Sequence, residues 1–184
     1  MRWSRILPEA RRAALLLACA CALPPAATAQ WAGWDYEFDQ EKKPWAEIAT
    51  KIPPYPRPEN LIEFEADAGS PHRFYIDSES ISVGEDGVVR YTLMIRSAGG
   101  ATNVSFEGMR CEMRQQKYYA VGRPDGTWVR TRNPQWRAIE YRQINRHHGV
   151  LYADVFCNGK LTVESPREAV RLLKSGKPRL HQQP

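Results

Sequence analysis

From Leu61 to Arg130 apolar residues recur at alternate positions, and this periodicity limits the fold more than any other feature of the chain. A period of two puts successive side chains on opposite faces of a strand, so one face can be buried while the other stays polar. Ile62 and Phe64 alternate with Glu63 and Glu65, and Phe74 and Ile76 alternate with Arg73, Tyr75 and Asp77. Val89, Tyr91, Leu93 and Ile95 fall on one face. Asp86-Gly87, between Ile81-Ser82-Val83 and the run from Val88 to Arg96, predicts a hairpin with a type I′ turn, which needs positive φ at both central residues. Gly99-Gly100 and Pro124-Asp125-Gly126 turn the chain again, and the expected result is an antiparallel β-meander of five to seven strands.

One strand breaks the alternation. Val104 and Phe106 are even-numbered apolar positions, whereas Met109, Cys111 and Met113 are odd-numbered. The phase slips around Gly108, which predicts a β-bulge there that turns Cys111 toward the core. On that reading Glu107 projects opposite Phe106, and Arg90 or Arg110 is its charge partner across the ladder.

Beyond Trp136 the pattern changes. Ser165-Pro166-Arg167-Glu168 is a capping box with proline at the first helical position, and Gly176 and Pro178 end the helix it starts. Val170 and Leu173 are its inward positions. Residues 144–157 admit two readings: Ile144, His148, Leu151 and Val155 form a helical stripe capped by Asn145, while Leu151, Ala153, Val155 and Cys157 also suit a strand. The helix is preferred because the stripe persists despite Gly149. The fold class is therefore α+β, a meander followed by a C-terminal helical part.

The first 29 residues read as a signal peptide, with Arg2, Arg5, Arg11 and Arg12, an apolar core from Ala13 to Leu23, and Ala27-Thr28-Ala29 before Gln30. The apolar run is too short to span a bilayer, and no integral membrane span is expected later in the chain. Leu16-Leu17-Ala18-Cys19 also approximates a bacterial lipidation box, so a lipid anchor at Cys19 is the alternative fate of this leader. Removing the leader lowers the net charge from +5 to +2, so a polyanion partner has little support. Two cysteines, Cys111 and Cys157, remain for the body. Export to the periplasm would let them form a disulfide worth about 4 kcal/mol in the chain-entropy model. Residues 30–59 form an aromatic and proline-rich arm, with Trp31, Trp34, Tyr36, Phe38 and Trp45 before Pro53-Pro54-Tyr55-Pro56. The arm is expected to lie on the domain, with one or two helical turns from Pro44 to Lys51. Residues 60–178 make one globular domain, and 179–184 a disordered tail.

Several short runs together carry a resemblance: Phe74-Tyr75-Ile76-Asp77, Asp86 to Leu93, Asn103 to Cys111, Asp125-Gly126-Thr127-Trp128 and Phe156-Cys157. Over residues 45–175 the chain resembles the cryptic neisserial protein-like family. The resemblance implies an exported envelope protein of a Gram-negative bacterium and supplies no catalytic residues to carry over.

Chemistry must then be weighed from the residues. Glu107, Arg110, Trp128, His147 and His148 are the candidate ligand-binding residues. Adjacent histidines on a helix point about 100° apart and do not readily share a metal, so no metal site is expected; His148 is read as partly packed and His147 as solvated. Ser105, Glu107, His147 and Asp154 have the right types for hydrolysis, but no G-x-S-x-G elbow occurs. Trp128 to Arg132 and Trp136-Arg137 interleave aromatics with cations, as base-stacking surfaces do. Export argues against nucleic acid and leaves an envelope protein, glycan or lipid as partner. With no phosphate loop, dinucleotide fingerprint or haem motif, no cofactor is expected. A non-enzymatic binding module of the envelope is the first functional expectation, a small cell-wall hydrolase the second.

Overall fold

A computed structural model describes residues 44–67, 69–140 and 146–176. The leader, the start of the arm, Asn145 and the C-terminal tail lie outside the described residues. Seven strands form one antiparallel sheet: β1 (Leu61–Phe64), β2 (Arg73–Val83), β3 (Val88–Arg96), β4 (Thr102–Arg110), β5 (Gln115–Gly122), β6 (Trp128–Arg130) and β7 (Arg137–Ala138). Strands β1 to β6 follow one another in sheet order, and β7 pairs with the first residues of β5 while β6 pairs with its last. A helix, α1 (Arg146–Val150), continues as a π-helical turn over Leu151–Phe156. A short hairpin of β8 (Cys157–Asn158) and β9 (Leu161–Thr162) follows, and α2 (Pro166–Ser175) ends the fold.

Local chemistry explains most of these boundaries. Ser165 accepts a hydrogen bond from the Glu168 amide, Pro166 opens α2, and Gly176 closes it at φ 58°. Glu168 reaches back to the amide of Glu164 rather than to that of Ser165. Ala169 and Leu173 are its buried residues, with Val170 packed beside them. The β2–β3 turn is not type I′: Gly84 and Val88 close a three-residue loop in which Gly87 alone takes positive φ, at 71°. That is a type I turn followed by a left-handed residue, a longer solution to the same reversal. The same hydrogen-bond pattern joins Ser97 to Ala101 and Arg123 to Thr127. Residues 44–57 hold no helix or strand, and the first helical turn of the fold is a 3-10 turn over Pro58–Asn60.

The phase slip in β4 has a different origin from a bulge at Gly108. Pairing of β4 with β3 runs without interruption from Thr102 to Arg110. The shift lies in β5, where Phe106 faces Ala120 and Glu107 faces Tyr118, so Tyr119 is the extra residue. Both faces of β4 are buried from Phe106 to Met109. Met109 and Cys111 belong to a core with Tyr91, Leu93, Leu151, Phe156 and Leu173, whereas Phe106 packs with Tyr119, Ala120, Ile52 and Trp128. One face of the sheet is thus covered by the C-terminal helical part and the other by the arm. Gly108 leaves room for a ring: a Cβ there would stand 2.6 Å from the Tyr119 hydroxyl.

A disulfide joins Cys111 to Cys157 with their Cα atoms 5.5 Å apart. It fixes the end of the π-helical turn to the loop after β4.

Candidate functional site

The register of the sheet assembles a polar cluster inside the helix-covered core. Tyr91 on β3 faces Glu107 on β4, and Glu107 faces Tyr118 on β5. Tyr91 donates its hydroxyl proton to Glu107 Oε2 at 3.0 Å, and Ser105, two residues back on the same face, donates to Oε1 at 2.5 Å. His148 on α1 closes the cluster with Nε2 2.7 Å from Oε2. Glu107 is fully buried, and His148 is 1% exposed. Burial pushes the Glu107 carboxyl up, but the charge and hydrogen bond of His148, with Ser105, outweigh it and hold the group below the usual carboxylate range. Burial and the adjacent carboxylate push Tyr91 well above the usual phenol range.

His147 is not solvated. It is 6% exposed, stacks on Phe74 with centroids 5.3 Å apart and meets His148 at 4.1 Å. Its Nε2 has no hydrogen-bond partner among the described residues. Burial, reinforced by His148 and opposed by Glu107, lowers its pKa to about 4. Three of the five candidate residues, Glu107, His147 and His148, therefore meet in one place. The helical reading of residues 144–157 accounts for this, because α1 lays both histidines on the sheet. Asp154 is joined to neither histidine by a hydrogen bond or ion pair among the described residues, and among them no three His, Cys, Asp or Glu side chains are grouped to hold a metal.

Arg110 and Trp128 stand on the opposite face, under the arm. Arg110 pairs with Glu112 at 3.0 Å, not with Glu107, and lies 3.9 Å from the ring centre of Trp45. Trp128 packs against Phe106 and Tyr55. Arg90 is likewise committed elsewhere, to Asp86 at 2.6 Å and to Thr50 and Ile48 of the arm. The arm's main anchor was not legible in the sequence: Glu47 accepts from Lys117 at 2.7 Å, Tyr119 at 2.6 Å and Trp136 at 3.2 Å.

His148 reaches a cleft of about 340 Å³ whose other walls include Gln116, Tyr118, Arg137 and Ile139. Gln116 and Arg137 are direct cross-strand partners, and Tyr118 follows on the same face of β5. Sequence reasoning passed over Gln116 and Tyr118. The signal that could have found them is register, since the residues opposite Glu107 can be counted only once β5 is paired.

Comparison with known proteins adds relatives to this geometry. The chain is similar to Cryptic neisserial protein 1 of Neisseria gonorrhoeae, with 26% identity over 143 residues that cover 68% of this chain and 70% of that protein. No solved structure matches it. The description of the CNP1-like family matches residues 40–174, nearly all of the sheet, the buried cluster and the C-terminal helical part, and the chain belongs to the CNP1-like family.

Proposed function

We propose that the protein is an exported periplasmic component of the cell envelope that acts by binding rather than by catalysis. One observation carries the reading. The groups best suited to chemistry, Glu107, His148, Tyr91 and Ser105, are turned on one another inside the core, which is how a protein stabilises a buried carboxylate and not how it presents one to a substrate. The leader and the disulfide fit an oxidising compartment. In living cells, a photo-crosslinker placed at exposed surface positions is expected to capture a defined envelope partner, and the mature chain is expected to begin at Gln30. Capture of nothing, or retention of an uncleaved leader, would count against the reading; an acylated Cys19 as first residue would replace free export by a lipid anchor.

A second reading, a small hydrolase, is favoured by the 2.7 Å contact of Glu107 with His148, since a carboxylate behind an imidazole orients a general base, and His148 lines a cleft. Against it, Ser105 donates to Glu107 and not to the imidazole. Hydrolysis of cell-wall peptide or glycan by the purified protein, abolished by His148→Ala, would establish this alternative.

A further inference from the structure

We propose that the cleft between β2 and the proline run of the arm binds a lysine side chain of a peptide partner, its ammonium held by Asp77, Glu79 and Asn60. Such a site gives the binding module a ligand class and rests on that reading.

Asp77 pairs with Leu61 of β1 and Thr92 of β3, is 4% exposed, and lines a cleft of about 410 Å³. Its Oδ1 accepts from the Glu79 amide at 3.2 Å. Oδ2 has no hydrogen-bond or ion-pair partner among the described residues, and it keeps accessible surface on the cleft. Burial pushes this carboxyl above the usual range; the Glu79 amide and Arg57 oppose the rise, and the charge of Glu79 adds to it. A buried carboxylate oxygen without a donor is costly enough to call for an explanation. The chain supplies no donor because the cover is Pro53-Pro54-Tyr55-Pro56, in which the prolines have no N–H, and the Tyr55 hydroxyl is committed to the carbonyl of Arg123 at 3.0 Å.

A bulge brings the second carboxylate to the rim. From Asp77 to Ser82 β2 advances five residues while β3 passes two, from Thr92 to Arg90. Ser80 pins the extra length, donating to the Asp77 carbonyl at 2.7 Å and accepting from the Thr92 amide at 2.8 Å. Glu79 is thereby held, exposed, beside Asp77, and Asn60 brings a side-chain amide oxygen to the same cleft.

The class of ligand follows from these acceptors. A guanidinium fork takes both oxygens of a carboxylate, but Oδ1 is already engaged. A divalent ion needs more carboxylates, and among the described residues no third His, Cys, Asp or Glu completes a metal site. An ammonium offers its donors from one atom and suits Oδ2, Glu79 and Asn60 together. Because Asp77 lies beneath the proline run, the charge must arrive on a narrow stem, which lysine has and a peptide N-terminus lacks; Pro53 and Tyr55 cover its methylenes. Arg57 also lines the rim, but it is exposed and pairs with Glu59 at 4.0 Å, so Asp77 and Glu79 leave the cleft anionic.

The test is an amide-resolved NMR titration of the purified chain with Nα-acetyl-lysine N-methylamide, its Nε-acetylated form, the arginine analogue and alanyl-alaninamide. The lysine compound should bind saturably and shift the resonances of Asn60, Asp77 and Glu79. The other three should bind at least about tenfold more weakly. Asp77→Asn keeps an acceptor for the Glu79 amide and removes an uncompensated buried charge, so it should melt no lower than the parent yet lose binding by at least about tenfold. Glu79→Gln, at an exposed position, should fold as the parent does and weaken binding, and Arg57→Gln should strengthen it. No binding of the lysine compound, equal binding of any of the other three, undiminished binding by Glu79→Gln, or a lowered thermal midpoint in Asp77→Asn would overturn the site. If crosslinking in cells captures a partner while the lysine compound does not bind, the cleft is wrong and the binding-module reading stands. If the lysine compound binds and no partner is captured, the site stands and that reading fails.

Discussion

Glu107 is buried among two tyrosines and two histidines, with His148 Nε2 2.7 Å from its carboxylate. His147, its ring tilted against that of His148 at 4.1 Å, is held neutral by burial. The consequence is a pH-dependent stability with a definite sign. An unfolded chain protonates His147 near 6.5, the folded one only near 4. Between those values the unfolded state binds more protons, so stability falls as the pH drops, by up to about 3 kcal/mol from this group. Glu107 adds a second window of the same sign. Its folded pKa lies below 4.5, so its contribution is present above that value and is lost only as the pH falls further, through the folded pKa. Urea unfolding measured from neutral pH down to the carboxylate range should show both windows, and His147→Leu should flatten the upper one alone. An unchanged slope in that variant would place the titration elsewhere.

At the scale of elements, β4 and β5 are fitted to a sheet covered twice. The extra residue in β5 lets Tyr119 and Ala120 both join Phe106 beneath the arm, while Tyr118 stays on the face of Glu107. Gly108 then accommodates the Tyr119 ring, whose hydroxyl is anchored on Glu47 at 2.6 Å and is not free to swing away. Gly108→Ala should therefore cost about 1–3 kcal/mol by overpacking, although the strand conformation itself suits alanine. The variant should also loosen the arm, read as faster proteolysis between Trp45 and Tyr55. A stability equal to the parent's would show that Tyr119 yields without cost. On the other face, the π-helical turn buries Val155 and Phe156 side by side and delivers Cys157 to Cys111.

For the whole described fold, the sheet is the common floor for two covers from opposite ends of the sequence. The arm is held largely by polar anchors at Glu47, Asp86 and Arg90, the C-terminal part by apolar packing and the disulfide. The bond spans 46 residues, and its removal by Cys111→Ala with Cys157→Ala should lower the unfolding free energy by about 4 kcal/mol. Parent protein measured with reductant should match the variant. Two free thiols in protein purified without reductant would remove the basis of that expectation.

Elements that rest on short-range backbone chemistry were determined by the sequence alone. Serine caps an amide three residues on, glycine takes the left-handed position, and alternation selects strands, whatever lies above them. The pairing of Cys111 with Cys157 was equally legible, because these are the only two cysteines of the sequence beyond its apolar N-terminal segment. Tertiary structure decided what depends on a second cover. The apolar phase change at Gly108 looked like a local bulge because sequence does not say that residues 45–57 lie on the even-numbered face of β4. His147 looked solvated for the same reason, since its burial is set by Phe74, far away in the chain. The partner of Glu107 was also undecided locally: arginines were nearer in sequence, but Arg90 and Arg110 face the arm, and only packing of α1 on the opposite face brought His148 to the carboxylate.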